Sequence, residues 1–333
     1  MLAHYSGADA LYRRLAGNGL VILMLHRIRD EHDPYPLSIS RASLFRLVAW
    51  LRQADLLTDL DQGLAALPAT GKPRTRYAIT LDDGYRDNLN LLDPALGKVP
   101  AVLYLATDHV GGEPIWIYRL LRAVQERGTD RADLRAIGMG EYDLSREDER
   151  SRLLADVPVH LKRLPHEEFC AQVEKIMETL APAATGGRHE REMLDWDEVR
   201  RLHAHGISIG AHTCRHVLLS RVDDGFALRE IAGSRDRIAS ELGVPPRHFA
   251  YPNGSPQDFG DRDVRMVAAC GFATSATTVE GVNRTDTPHH RLLRYNVHES
   301  RYRSPFGRIS RAMFFSETSG LLGWMRNRRN RNA

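Results

Sequence analysis

Two short stretches of the sequence carry side chains of the types that bind a divalent cation. Asp82 and Asp83 stand side by side in YAITLDDGYRDN, residues 77–88, directly after an apolar run. His212 and His216 follow a second apolar run in GISIGAHTCRHVLLS, residues 206–220. Imidazole nitrogen and carboxylate oxygen are ligands that Zn²⁺ prefers at catalytic sites, where positions stay open for water and substrate. Two histidines and one aspartate predict such a site, and the second carboxylate is then free to take a proton from the attacking water.

Each stretch also has an ordinary structural interpretation. The sequence Asp82-Asp83-Gly84 is typical of a helix cap followed by a turn. A lone pair of histidines four residues apart is more often a surface pair or a core pair than a metal site. Cys214, between the two histidines, is a bystander or a ligand for soft metals. The occurrence of both stretches in one chain favours the metal site over the structural alternatives.

The elements that must position these residues alternate along the chain. Seven apolar runs predict strands at residues 20–25, 77–81, 99–106, 207–210, 248–251, 272–276 and 292–297. Amphipathic helix patterns lie between them, for example at 43–56 and 225–242. This alternation predicts an α/β fold with a mostly parallel sheet closed as a barrel, in which chemistry gathers at the C-terminal ends of the strands.

Two segments depart from the alternation. Residues 113–191 are polar and helix-patterned with no convincing strand, and they predict a helical insertion, a lid or substrate-selecting subdomain, in a barrel that spans 18–298. A loose APAATGG joint, 181–187, lies near its end. The tail, 299–333, holds eight arginines and one acid, Glu317, from Arg301 onward. The tail also contains a set of apolar residues, namely Met313, Phe314, Phe315, Leu321, Leu322, Trp324 and Met325.

The basic, partly apolar tail predicts peripheral contact with an anionic membrane. Nucleic-acid binding is the disfavoured alternative, and a solvated frayed end is the structural one. The three cysteines are too few and too scattered for a disulfide framework, which favours a reducing compartment. The apolar run GLVILML is too short for a membrane span. We therefore expect a cytoplasmic protein, with the inner membrane as the site of any peripheral contact.

The motifs ITLDDGY and HTCRH resemble the first two motifs of the polysaccharide deacetylase family, which are metal-dependent carbohydrate esterases. Four further motifs follow the order seen in the branch that includes biofilm poly-N-acetylglucosamine deacetylases: ILMLHRI (22–28), MLDWDEVRRL (193–202), FAYPNG (249–254) and LLRYNV (292–297). The resemblance covers roughly 18–110 and 190–298. It implies a distorted (β/α) barrel of about seven parallel strands with a helical insertion.

The resemblance also implies roles for the residues of these motifs. Asp82 takes the place of the general base, and the metal ligands are Asp83, His212 and His216. The backbone N–H of Asn253 helps to hold the oxyanion. In the same motif Ala250 stands where the family commonly has an arginine that orients the base, so Asp82 is expected to be less well held. His298 is the only histidine near the last motif and is the candidate proton donor, although its position matches poorly.

Four residues are assigned to substrate binding. Tyr251 lies in the motif FAYPNG. Trp196 would form a wall of the sugar site, and the alternative for it is a core tryptophan. Trp196 opens a helix whose start, Asp195 to Glu198, has the spacing of a capping box. His26 ends the first strand and is either a group beside the site or a structural histidine. Arg294 either orients an acid near the site or pairs on the barrel rim.

The sequence therefore predicts a metal-dependent hydrolase that removes N-acetyl groups from N-acetylhexosamine residues of a bacterial polysaccharide, or of its lipid-linked precursor, in exopolysaccharide biosynthesis. Zn²⁺ is the expected metal, with Co²⁺ and Ni²⁺ as alternatives. Two other functions stay open. One is an amide hydrolase of the same fold that acts on a small molecule, and the other is a catalytically silent glycan-binding protein. Asp82 argues against the silent protein, because such a protein has no need for an unliganded carboxylate beside the metal.

Overall fold

The computed structural model describes residues 18–31, 33, 35–70, 74–180, 191–304 and 308–321. Seven strands form one parallel sheet. They are β1 (Gly19–Leu25), β2 (Thr75–Leu81), β3 (Ala101–Leu105), β4 (Ser208–Ala211), β5 (His248–Ala250), β6 (Thr274–Ala276) and β7 (Arg294–Asn296). Their spatial order is β6-β5-β4-β3-β2-β1-β7. Each of the seven apolar runs in the sequence is thus confirmed as a strand.

The two edges of this sheet come together and nearly close it. The backbone N–H of Thr277, just after β6, donates to the carbonyl of Leu292, just before β7, at 2.9 Å. The N–H of Leu292 in turn donates to the carbonyl of Ser275 at 2.9 Å. The predicted distorted (β/α) barrel is therefore confirmed.

Side chains of the strands alternate between the barrel interior and the surrounding helices. In β1, Val21, Leu23 and Leu25 join the large cluster that packs under the helices, whereas Leu20 and Ile22 join a smaller cluster with residues of five other strand regions. Both faces are apolar because a parallel sheet is covered on both sides. Since aligned residues of neighbouring strands share a face, Ala78 of β2 and Arg294 of β7, both in register with Ile22, also point inward.

Ten α-helices accompany the strands in the described part of the chain. They are α1 (Arg41–Gln53), α2 (Leu60–Ala65), α3 (Trp116–Gln125), α4 (Glu147–Leu161), α5 (His166–Leu180), α6 (Trp196–Ala204), α7 (Asp224–Leu242), α8 (Asp261–Ala269), α9 (Glu299–Tyr302) and α10 (Arg311–Thr318). Helix α6 begins with the predicted capping box, in which the Glu198 N–H donates to Asp195 and the Asp195 N–H donates to Glu198.

Helices α3, α4 and α5 form the predicted insertion and share a hydrophobic cluster of their own, which includes Leu153, Val157, Ile176 and Leu180. The prediction that this segment lacks strands is wrong. Residues Arg131–Asp133 pair antiparallel with Glu141–Asp143. Each of these strands is three residues long and buries only its central side chain, so the alternation is too short to appear as a strand in the sequence. The loose joint at 181–187 lies outside the described residues.

The start of the tail packs on the barrel, which corrects the role given to two of its aromatic residues. Phe314 and Phe315 of α10 are buried, and their ring centroids both lie 5.9 Å from that of Tyr77 on β2. Because they fill the outer core of the barrel, they are not available to a membrane. Leu322, Trp324, Met325 and the last four arginines lie outside the described residues. Where the structure describes helices, none has the length and apolar character needed to cross a bilayer.

Candidate metal centre and active site

The turn after β2 presents the two adjacent carboxylates to the barrel opening. Asp82 and Asp83 are 2% and 5% exposed. The following 3₁₀-helix begins after Tyr85, which occupies the N-cap position and makes no side-chain capping bond. The aspartates therefore do not cap this helix. Asp83 instead has a left-handed backbone, with φ 77°, followed by Gly84 with φ 91°, and this turn brings its side chain toward the loop that follows β4.

The loop after β4 places both predicted histidines against Asp83. The Nε2 atoms of His212 and His216 lie 3.5 Å and 3.4 Å from Asp83 Oδ1. His212 Nδ1 is 2.7 Å from the carbonyl oxygen of Ala250, so Nδ1 carries the proton and donates, and Nε2 keeps its lone pair. This second bond orients the imidazole as in known metal sites.

The three side chains fit a divalent cation. Their ligand atoms all lie within 4.8 Å of one another. Asp83 Oδ1 is buried without a hydrogen-bond partner in the described structure. Burial, with a contribution from the neighbouring Asp82 charge, raises the pKa of Asp83, so its carboxylate needs a positive partner to stay charged. Burial lowers the pKa of His212 and His216, which keeps both imidazoles neutral and able to act as ligands.

Backbone strain is concentrated at this site. Positive φ angles occur at Asp83 (77°), Thr213 (63°), His216 (56°) and Asn253 (55°), and among the described non-glycine residues only Asp55 shares this conformation. Such conformations persist where the surrounding structure holds them, and they cluster at functional sites. The strained residues therefore lie in three separate loops, after β2, β4 and β5, that meet at one site on the C-terminal edge of the barrel.

Asp82 is held by Arg294 rather than by the metal ligands. The guanidinium donates from Nη1 to Asp82 Oδ1 at 2.7 Å and from Nη2 to Oδ2 at 2.8 Å. Its remaining donors reach the carbonyl of Thr277 at 2.7 Å and Thr80 Oγ1 at 3.2 Å. Burial is the largest single influence on the pKa of Asp82 and would raise it, but the charge and hydrogen bonds of Arg294, together with the nearby imidazoles of His212 and His26, outweigh burial and lower the pKa below its usual value.

This bidentate pair corrects two expectations. Asp82 was expected to be poorly held because Ala250 replaces the arginine of the family motif, yet Arg294 enters from β7 and orients the carboxylate. Arg294 was also assigned to substrate, but it is fully buried inside the barrel behind Asp82. Of the two alternatives given for it, the one in which it orients an acid near the site is confirmed, and pairing on the barrel rim is wrong. In a closed barrel, arginines on two different strands can reach the same point. A comparison made one motif at a time therefore does not show that an arginine on β7 can do the work of the one missing at Ala250.

A cavity of about 420 Å³ opens above these residues. The barrel contributes His26, Asp82, Asp83, His212, His216 and Asn253 to its wall, and the insertion contributes Trp116 and Lys162 among others. Burial lowers the pKa of His26 to about 4, and the largest opposing effect comes from the charge of Asp82. Its Nδ1 is buried with no hydrogen-bond partner among the described residues. His26 thus faces the cavity, where the sequence left open a structural role.

Three other predicted site residues lie away from this cavity. His298 is half-buried outside it, with Nδ1 2.8 Å from the hydroxyl of Ser300. Tyr251 is buried, stacks on Phe259 with ring centroids 3.9 Å apart, and donates its hydroxyl to the carbonyl of His290. Trp196 lies under the Arg237 guanidinium, 5.2 Å from the ring centroid, and packs on the core. The structure does not bring these three side chains to the metal site.

Asn253 lies at the cavity and also borders the adjoining groove. Its carbonyl accepts a hydrogen bond from the Thr278 hydroxyl at 2.6 Å. Its backbone N–H donates to no other described residue. An N–H left free beside a cavity is a suitable donor for a developing negative charge on a substrate oxygen.

Comparisons with known proteins agree with this geometry. The family model for polysaccharide deacetylases matches residues 69–274. No curated protein is significantly similar to the chain in sequence. Among solved structures, IcaB from Ammonifex degensii is 17% identical with a TM-score of 0.56, over 91% of this chain and 98% of that one.

Two further structures share the fold. The Streptococcus pyogenes deacetylase PplD, solved in complex with acetate, is 15% identical with a TM-score of 0.55, over 85% of this chain and 93% of that one. A de-N-acetylase from Aggregatibacter actinomycetemcomitans is 14% identical with a TM-score of 0.52, over 83% and 94% of the two chains. At these identities the likeness is one of fold.

Proposed function

This chain belongs to the polysaccharide deacetylase family, and from that premise we propose that it removes N-acetyl groups from N-acetylhexosamine residues of a bacterial polysaccharide or of its lipid-linked precursor, with a divalent cation in the site. The fold likeness to IcaB supports the biofilm-type branch. Zn²⁺ suits the donor set of two imidazoles and one carboxylate. Once bound by Asp83, His212 and His216, the cation supplies Lewis acidity to an amide carbonyl and to water.

Asp82 is the group that takes the proton of the attacking water. It adjoins the ligand Asp83 but is itself engaged by Arg294, so it keeps a fixed orientation without being a ligand. Its lowered pKa keeps it ionised at neutral pH, as a base must be. The Asn253 N–H stabilises the charge that develops on the amide oxygen, a contribution of about 3 to 4 kcal/mol for one well-placed donor.

The leaving amine needs a proton, and His26 is the imidazole placed to deliver it. Apart from the two metal ligands, it is the only histidine among the described residues that line the cavity. With a pKa of about 4 it is neutral at rest, so it must gain the proton during the reaction. Asp82, the charge that acts on it most strongly, is the group that has just taken a proton from water. His26 therefore replaces His298 as the proposed proton donor.

The observation that carries this proposal is that the two adjacent carboxylates have different partners. Asp83 faces both imidazoles, whereas Asp82 turns to a buried guanidinium. A silent glycan-binding protein has no physical use for this buried ion pair beside a metal site, because its formation requires the desolvation of both charges.

Acetate release tests the proposal. The full chain is incubated with N-acetylglucosamine oligomers and Zn²⁺, Co²⁺ or Ni²⁺, and acetate is measured with and without a chelator. We expect release that the chelator abolishes and the metal restores. Release from small aliphatic amides but from no glycan would instead support the small-molecule hydrolase. Binding of the oligomers without any release would support the silent protein.

Peripheral membrane contact at the cytoplasmic face is a separate proposal. Since Phe314 and Phe315 are buried, it rests on the apolar residues and arginines beyond residue 321. Flotation with vesicles that contain anionic lipid compares the full chain with a chain that ends at residue 321. Binding by the full chain alone supports the proposal, and equal behaviour of the two chains contradicts it.

A further inference from the structure

A groove of about 290 Å³ continues from the catalytic cavity. The two share Trp116, Lys162, His216 and Asn253 in their walls. The groove runs between the insertion and the loop that follows β4, so a ligand that reaches the metal site with one sugar can extend into it with the next.

The charged side chains that line this groove are predominantly cationic. The cations are Arg119, Lys162, Arg215 and Arg221, and the acids are Glu113 and Glu174. Both acids already have arginine partners: Glu113 pairs with Arg122, and Glu174 pairs with Arg119 at 3.0 Å. Arg215 is paired as well, with Glu230 at 2.7 Å. Positive charge is therefore left over at Lys162 and Arg221, for which the described structure shows no salt bridge.

Lys162 has the more informative position of these two. It follows the last residue of α4 and borders both the cavity and the groove. Burial lowers the pKa of its ammonium group, and the Asp258 carboxylate opposes this shift without forming a salt bridge. A half-buried ammonium group without a close acid has lost part of its hydration, so a ligand that supplies negative charge would stabilise it. Arg221 is exposed by comparison, so solvent can reach its guanidinium group.

The groove also has an apolar wall suited to the face of a sugar ring. Trp116 and Phe169 lie edge to face with centroids 5.4 Å apart, and both border the groove. Aromatic faces next to a cation are suited to a ring that carries an anionic group. A neutral N-acetylhexosamine would use the aromatic wall but leave Lys162 unpaired.

We propose that this groove binds an anionic unit, a sugar carboxylate or a phosphate, that lies next to the N-acetylhexosamine in the substrate, and that Lys162 contacts its negative charge. The proposal deepens the function given above and rests on it. It predicts that the substrate is an acidic glycan or a phosphate-linked one rather than a neutral homopolymer.

Binding is measured first with probes that contain no amide and so cannot be hydrolysed. The full chain with Zn²⁺ is titrated by NMR with cellobiose, with cellobiouronic acid and with cellobiose phosphate. We expect at least one anionic probe to bind about tenfold or more tightly than cellobiose, the effect of one charge-assisted hydrogen bond. The stronger of the two anionic probes identifies the source of the charge.

Three variants locate the effect. Lys162→Met should abolish the preference for the anionic probe, whereas Lys162→Arg should retain it and shows that the position tolerates substitution. Lys175→Met, at an exposed lysine of α5 that pairs with Glu178 at 3.4 Å, is the matched control and should leave the preference unchanged. Equal affinity for cellobiose and both anionic probes, or a preference that survives in Lys162→Met, overturns the proposal.

Acetate release separates this proposal from the general function. We expect the KM of an N-acetylglucosamine disaccharide that carries the preferred anion to rise about tenfold in Lys162→Met, with kcat nearly unchanged. Lys175→Met should leave the KM and kcat of this substrate at their parental values. If no substrate releases acetate while the Lys162-dependent binding persists, the hydrolase fails and the anion site stands. If acetate is released but Lys162→Met alters neither KM nor binding, the anion site fails and the hydrolase stands.

Discussion

Two walls enclose the catalytic cavity, and they differ in construction. The barrel wall is strained and internally bonded: its loops hold four non-glycine residues with positive φ, and each of the three guanidinium nitrogens of Arg294 donates at least one hydrogen bond. The opposite wall comes from α3 and α4, and no non-glycine residue described between 113 and 180 has a positive φ. Lys162, which belongs to this wall, forms no salt bridge within the described structure.

This difference indicates which wall performs which task. Groups that must contact a metal and a reacting bond need fixed positions. A strained backbone that many surrounding contacts hold in place provides such positions. Groups that recognise a variable neighbour need only face the ligand from a stable helix. Substitutions in the barrel wall should therefore change kcat, whereas substitutions in the insertion should change KM.

The largest effect in the barrel wall is expected from Asp82→Asn. The amide cannot accept the proton of water, so kcat should fall by about 10² to 10⁴. The ligands Asp83, His212 and His216 are untouched, so the metal content should stay that of the parent. Acetate release and metal analysis on the same sample check both statements. A variant with parental kcat would remove Asp82 from the role of base.

A smaller effect is expected from His26→Asn, since the amine can still obtain a proton from water. We expect a fall in kcat of about 10² with little change in KM. His298→Asn is the matched control, because His298 lies outside the cavity, and it should retain the parental rate. The reverse result would return the role of proton donor to His298.

Arg294→Met tests whether the guanidinium positions the base. Removal of one partner of a buried ion pair leaves Asp82 uncompensated and should lower the free energy of unfolding by about 3 to 5 kcal/mol. Chemical denaturation measures this, and kcat of the folded fraction should fall by about tenfold as Asp82 loses its orientation. Arg291→Met removes an exposed pair with Asp261 and should change stability by less than about 1 kcal/mol. Equal stability in the two variants contradicts the assignment.

The smallest effect is expected in the insertion wall. Trp116→Ala removes an aromatic face from both the cavity and the groove, so KM should rise by about five- to tenfold with kcat nearly constant. Trp196→Ala is the comparison, because Trp196 packs on the core, and it should affect stability but not KM. A fall in kcat for Trp116→Ala with unchanged KM would show that the insertion takes part in the chemistry.

The sequence predicted the parts of the site that lie on strand ends. Each strand is a continuous apolar run, and parallel strands bring their C-terminal ends to one edge, so the pattern of residues is enough to place Asp82, Asp83, His212 and His216 together. Their local motifs are short and contiguous. The seven strands and the capping box at Asp195 were predictable for the same reason.

The remaining site residues meet through contacts that local patterns do not encode. Arg294 reaches Asp82 only because the barrel brings β7 beside β1, two strands away from β2, and no spacing along the chain signals that. Trp116 and Lys162 come from the insertion, where a tryptophan at a helix start and a lysine at a helix end have ordinary structural uses. Tyr251 and Trp196 had suitable side chains but face the core.

Metal content tests the central claim most directly. The purified full chain, the variant His212→Ala and the control His289→Ala, which changes an exposed histidine, are each dialysed against Zn²⁺ and then buffer, and bound metal is counted by elemental analysis. We predict one tightly bound equivalent in the parent and in His289→Ala, and none in His212→Ala. Equal metal in all three proteins, or none in any of them, would contradict the account.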